Sequence, residues 1–170
     1  MTIISGQTIR KRKIIRESDF EDREKITDAY GTTTTRGLGP AGYDLSLDEM
    51  IEMPRGIALV DTFSLTWVIQ PGAFTLASVR EHIAMPADLI GTVHYKSSWA
   101  RRGLTVQNTV IEPGWRGFLT LELKNIGSDP LFLTHGCGIC QLLLHSLDAP
   151  AEQPYDGKYQ DQSKGPQKAR

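Results

Sequence analysis

Leu65-Thr66-Trp67-Val68-Ile69-Gln70-Pro71-Gly72-Ala73-Phe74-Thr75-Leu76-Ala77-Ser78-Val79 reads as two short strands on either side of a Pro71-Gly72 turn. Both runs are rich in β-branched and aromatic residues, which suit a pleated, half-buried surface. Neighbouring segments carry the same pattern outward. Upstream lie Tyr43-Asp44-Leu45-Ser46-Leu47, which alternates, and Ile57-Ala58-Leu59-Val60. Downstream lie Leu89 to Tyr95, Leu104 to Ile111, Phe118 to Lys124, Leu131 to Leu133 and Ile139 to His145. Many short strands at this spacing predict an all-β sandwich or barrel.

The flanks read differently. Ser5-Gly6-Gln7-Thr8 has the chemistry to cap a short helix running through Ile9, Ile14 and Ile15. Its basic run Arg10 to Lys13 is followed at once by Glu17, Asp19, Glu21 and Asp22, which favours a solvated face over a nucleic-acid contact. Residues 31–41 have loop chemistry. From Ala149 onward Pro, Gln, Lys, Asp and Gly dominate. The expected organisation is a β domain over residues 1–150 and a C-terminal arm over 151–170, mobile or ordered by a ligand.

Bulk composition narrows the classes. The 170 residues fit one domain with its own core. A net charge of −1 leaves no general nucleic-acid footprint. No apolar run is long enough to span a membrane, and Met1 to Gly6 lacks the pattern of a secretory signal. Two cysteines cannot build a disulfide framework. The expectation is a cytoplasmic protein without nucleic-acid or membrane partners.

Chemistry concentrates in Tyr95-Lys96-Ser97-Ser98-Trp99-Ala100-Arg101-Arg102-Gly103. Ser97 or Ser98 can cap a single helical turn that Gly103 stops. Free N–H groups, two hydroxyls, Lys96 and Arg101 would make a phosphate cradle; a plain capped turn with solvated basic ends is the competing reading. Glu122 lies in the apolar run Phe118 to Leu123. A carboxylate there is costly unless paired or solvated. It is either a working group or one on the solvent face of an amphipathic strand. Cys137-Gly138-Ile139-Cys140, with His135 and His145 nearby, imitates half a zinc site. Residues three apart on a strand face opposite ways and no second pair follows, so buried small hydrophobes are expected. His82 and His94 stand alone and read as structural.

Taken in order, several motifs resemble the dCTP deaminase branch of the dCTP deaminase/dUTPase superfamily. They are Pro40-Ala41-Gly42-Tyr43-Asp44-Leu45, Lys96 to Leu104, Ile111-Glu112-Pro113-Gly114-Trp115-x-Gly117, Leu119 to Leu123, Gly136-x-x-Ile139-x-Gln141-Leu142 and Pro154-Tyr155-x-Gly157-Lys158-Tyr159-Gln160-x-Gln162. The resemblance implies a distorted jelly-roll or β-barrel of the dUTPase-like type. It also implies a homotrimer with intersubunit active sites, Mg2+ carried on the triphosphate, and catalysis without zinc or another protein-bound metal. Carried over by position, Lys96, Ser97, Ser98 and Arg101 would hold phosphates, with Arg101 and Ser97 also near the reacting centre. Glu112 would contact the sugar 3′-hydroxyl, and Thr120, Leu121 and Glu122 the base. Gln141, Tyr155, Lys158 and Gln162 would be further nucleotide contacts.

The implied activity is hydrolytic deamination of dCTP to dUTP and ammonia, with Glu122 activating water and dTTP a plausible inhibitor. Such chemistry needs a base that becomes an acid, and one carboxylate with a raised pKa can serve. Two departures from the family pattern bear on substrate choice: Glu112 replaces an Asp, which weakens the dUTPase reading more than the deaminase one, and the 107–110 loop is short. A third, Lys96 where Arg is commoner, would bind phosphate as a point charge rather than a fork. The rivals are a dUTPase or bifunctional dUMP-forming enzyme, which Glu122 separates from a plain dUTPase, and a nucleotide-binding regulator without turnover.

Overall fold

A computed structural model describes residues 2–51, 56–107 and 110–169. The chain is mostly β, as expected, curled into a half-barrel. Eleven strands are present among the described residues: β1 Glu24–Thr27, β2 Thr33–Leu38, β3 Tyr43–Met50, β4 Ile57–Asp61, β5 Thr66–Ile69, β6 Phe74–Ala84, β7 Leu89–Tyr95, β8 Leu104–Gln107, β9 Arg116–Asn125, β10 Leu131–Thr134 and β11 Gly138–Ser146. The large sheet runs β1-β2-β3-β6-β9-β8, and β11 joins it by pairing with both β3 and β7. A second sheet, β10-β5-β4, is antiparallel throughout.

Alternation places the core. Along β3, β6, β9 and β11 the residues Leu45, Leu47, Ala77, Val79, Leu121, Leu123, Leu142 and Leu144 are fully enclosed. Opposite faces of β9 and β11 remain half-buried. Asn125 ties the two sheets together. Its buried amide donates to Ile69 O at 2.9 Å and Asp129 O at 2.8 Å, and its Oδ1 accepts from Gly127 N. These bonds fix where the chain leaves β9 for the small sheet.

The N-terminal helix, α1 (Gly6–Arg12), is shorter than its apolar pattern suggested. Ile14 and Ile15 lie beyond it but are still buried. Ser5 is the N-cap residue without a capping side-chain bond; its hydroxyl faces Thr8 Oγ1 instead. Residues 31–41, read as a loop, contain β2. The Thr run has the right backbone preference, and Thr34, buried, accepts Gly138 N at 3.0 Å. Composition hid that strand because its two buried positions are Thr34 and Gly37 rather than large hydrocarbons. Leu65 is in the left-handed region at φ 49°, so β5 begins one residue later than read.

A four-residue helix, α2 (Ser97–Ala100), follows β7. Lys96 rather than a serine is its N-cap residue. Trp99, 1 % exposed, pins it to the core and donates Nε1–H to Gly138 O at 2.9 Å. Burial of such a ring stabilises by roughly 4 kcal/mol in transfer terms. The turn then closes at Gly103 (φ +91°), where a Cβ would lie 2.4 Å from Gly127 N; only glycine permits that approach. Among the described residues no helix is long and apolar enough to cross a membrane.

Candidate active site

A cavity of about 840 Å3 opens on the exposed face of β9. Its floor comes from Leu119, Thr120 and Glu122, with Phe74 and Leu76 of β6 alongside. Glu112 and Trp115, from the turn before β9, form one wall. Tyr155, Tyr159, Gln162 and Gln167, from the C-terminal segment, form the other. Five of the residues expected from sequence, Glu112, Thr120, Glu122, Tyr155 and Gln162, thus meet at one place.

Glu122 sits mid-strand, opposite Leu76 on β6 and Gln107 on β8. Its side chain is half-buried and has no ion-pair or hydrogen-bond partner on another side chain among the described residues; its own backbone N–H is the one group that bonds it. Burial therefore holds its carboxyl above the ordinary glutamate range. A carboxyl in that state exchanges a proton more readily near neutrality than a surface glutamate does. Leu121, next in the strand, is fully enclosed in the core. Its side chain points away from the cavity, so a contact with the base at Leu121 would come from its backbone.

The C-terminal segment is packed along this cavity. Tyr155 N donates to Pro113 O at 2.8 Å, Trp115 Nε1 to Tyr159 O at 2.8 Å, and Gln160 Nε2 to Gly114 O at 3.0 Å. Asp161 pairs with Arg116, and Gln162 makes a parallel bridge to Gly117. Gly117 is at φ +141°, and a Cβ there would come within 2.6 Å of Gln162 N, so glycine lets the segment lie flat on β9. Gln162 Nε2 and the backbone N–H of Gln167 both donate to Thr120 Oγ1. Lys158 holds its ammonium 4.8 Å over the Tyr159 ring.

The residues of the basic turn lie elsewhere on the chain. Arg101 is exposed, has no side-chain partner among the described residues, and borders a second cavity of about 750 Å3 with Tyr30, Arg102 and Phe132. Ser97 is exposed and Ser98 half-buried. Lys96 differs from expectation: its ammonium lies 2.6 Å from Asp44 Oδ2 and 2.9 Å from Thr35 Oγ1, with both charged side chains nearly buried. Lys96 thus braces the turn against β2 and β3 rather than facing an open cradle. Gln141 Nε2 donates to Ala41 O at 3.4 Å, its one side-chain bond among the described residues. Arg101 precedes β8 by a three-residue turn, whereas Glu122 pairs with Gln107 at the far end of that strand, whose length is about 10 Å.

Cys137 and Cys140 are buried, and burial pushes the Cys137 thiol up to about 12 and raises that of Cys140 as well. Trp115, Tyr159, Leu76 and Gln167 were not singled out from sequence. Trp115 and Tyr159 stand inside motifs that were, but an apolar or aromatic residue in a β protein signals core before it signals a ligand wall.

A curled β half-barrel with a carboxylate-bearing apolar cleft and a basic hydroxyl turn defines the dUTPase-like class of folds. The family profile described as dCTP deaminase-like matches residues 3–147, and the chain belongs to that family. A protein of Acidothermus cellulolyticus named dCTP deaminase, dUMP-forming is 40 % identical over 132 residues, covering 73 % of this chain and 69 % of the relative. A dCTP deaminase of Halorubrum lacusprofundi is 39 % identical over 110 residues, covering 61 % and 54 %. The chain thus spans about half the length of several curated relatives it matches. Among solved structures, the 2′-deoxycytidine 5′-triphosphate deaminase of Agrobacterium tumefaciens shares the fold with a TM-score of 0.60 at 21 % identity, over 85 % of this chain and 48 % of that one. The dUTPase of phage phi11 of S. aureus does so with a TM-score of 0.52 at 13 % identity, over 84 % and 95 %.

Proposed function

We propose that the chain catalyses hydrolytic deamination of dCTP, with Glu122 as the group that activates water. The observation that carries this reading is a half-buried, unpaired carboxylate on the floor of an aromatic-walled cleft, held protonatable by its surroundings. Glu122 takes a proton from water as it adds to C4 of the cytosine, then returns one to the departing amine, so ammonia leaves and a uracil carbonyl remains. Leu119, Leu76 and Phe74 offer the ring an apolar seat. Thr120 and Gln162 offer hydroxyl and amide groups to its polar edge, and Glu112 can accept from the sugar 3′-hydroxyl. Tyr155, Lys158 and the rest of the arm, residues 151–170, close over the nucleotide bound to the β domain.

The triphosphate, with its Mg2+, is bound by Ser97, Ser98 and Arg101 of an adjoining copy in a homotrimer, with Lys96 bracing that turn and Gln141 beside it. Arg101 and Ser97 then also orient water and stabilise developing charge. The separation of Arg101 from Glu122 within one chain supports an intersubunit site. dTTP, which shares sugar and triphosphate with the substrate, would compete for it.

A second reading, in which the product is carried through to dUMP, is favoured by two observations. Relatives matched at about 40 % identity bear that name. A second carboxylate, Glu112, shares the cleft with Glu122 and could activate water for attack on phosphorus. Incubation with dCTP and Mg2+, with ammonia and pyrophosphate assayed separately, tests both. Ammonia alone supports deamination to dUTP, ammonia with pyrophosphate supports the dUMP-forming route, and neither supports a regulator without turnover.

A further inference from the structure

Asp48, near the end of β3, is 2 % exposed, yet its carboxylate has a single side-chain partner among the described residues. Lys164 Nζ lies 3.1 Å from Oδ1, while Oδ2 is buried with no partner. Lys164 belongs to the C-terminal arm and is itself largely exposed. On the adjacent strand, Ser78 Oγ is likewise buried and unpartnered, and Ser78 pairs with Thr120 across β6 and β9. Thr120 in turn accepts from Gln162 and Gln167 of the arm. Residues 162–167 therefore bridge from β9 to β3, crossing polar positions that the sheet does not satisfy by itself.

We propose that Asp48 is a positioning residue that anchors the arm over the catalytic cleft through Lys164, and so sets how tightly nucleotide is held. A buried carboxylate with one cationic partner is strongly disfavoured when that partner leaves, because an uncompensated charge remains. Arm opening breaks this contact, so the ion pair biases the arm towards the closed position. Its partner at the other end, Thr120, lies on the cleft floor, which makes closure and shaping of the pocket one event. The inference rests on the nucleotide-binding reading only for its effect on substrate; the anchoring itself concerns the free chain.

The test compares wild type, K164Q, K164R and D48N by hydrogen exchange of residues 155–167 without nucleotide, and by dCTP kinetics. Loss of the pair should speed exchange in the arm by about tenfold in K164Q and D48N, with K164R near wild type. KM for dCTP should rise by a similar factor, about tenfold, while kcat changes less than about twofold. Lys164 is exposed, so K164Q keeps the test valid even where D48N misfolds. Unchanged arm exchange in K164Q overturns the anchor, as does a fall in kcat with KM unmoved. Faster exchange in a chain that never turns over dCTP keeps the anchor and removes the nucleotide reading.

Discussion

Glu122 pairs with the far end of β8 while Arg101 lies in the turn before that strand, and the two border different cavities; this geometry makes a subunit-mixing experiment decisive. Glu122→Gln removes the proton-transferring carboxyl and should lower the rate of ammonia release by about 1000-fold, within the range for a general acid–base group. Nucleotide binding should stay within a few fold, since the amide preserves the shape. Arg101→Ala removes an exposed guanidinium with no partner among the described residues; the fold should be untouched and activity should fall by about 100-fold or more. Each variant alone is then nearly inactive. When the two are unfolded together in equal amounts and refolded as mixed oligomers, a site that draws Glu122 from one copy and Arg101 from another finds both intact in about a quarter of cases. Ammonia release from dCTP should therefore return to roughly a quarter of the wild-type level. If both groups served the same site from one chain, every site would carry one defect and nothing would return. Mixed oligomers, verified by mass, that stay as inactive as their parents would refute the intersubunit assignment.

Other consequences can be measured on the single chain. Glu81 is buried on β6, where Ser46 N and Oγ donate to it, and burial pushes its carboxyl up to about 7. Its folded pKa exceeds the unfolded one, so its contribution is full below about pH 4.5 and is lost as pH rises through about 7, by at most about 3 kcal/mol. Glu81→Gln, which keeps an acceptor for Ser46, should flatten the fall in melting temperature across that window; an unchanged slope would contradict the assignment. Trp99→Ala should cost about 3–5 kcal/mol by denaturant titration and weaken nucleotide binding with it, because the ring anchors the basic turn; Trp99→Phe should lose the bond to Gly138 O and cost about 1–2 kcal/mol. Glu112→Ala should lower kcat/KM for dCTP by about 10- to 100-fold, one charge-assisted hydrogen bond, but lower that for 2′,3′-dideoxy-CTP far less. Equal losses on both nucleotides would show that Glu112 does not read the 3′-hydroxyl.

The strands built on hydrocarbon alternation were legible in the sequence, since the same periodicity that marks Leu121 and Leu123 also buries them. β1 and β2 were not. Glu24–Thr27 is largely exposed, and the buried positions of β2 are Thr34 and Gly37, so neither displays a run of apolar residues to read. The functional residues divide in the same way. Glu122 was conspicuous as a charge in an apolar run, and its half-buried, unpaired state in the cleft explains why the run tolerates it. Lys96 was misjudged because its partner, Asp44, lies 52 positions away, and an ammonium beside two serines looks the same whether it faces phosphate or the interior. The Asp48–Lys164 pair was invisible for the same reason: sequence shows which groups carry charge, and only the fold shows which of them are already spoken for. A cradle inferred from composition should therefore be tested first for internal partners. By that test, among the described residues, Arg101 remains available for an anion and Lys96 does not, so substitution of Arg101 should change the salt dependence of nucleotide binding while Lys96→Met should chiefly change stability.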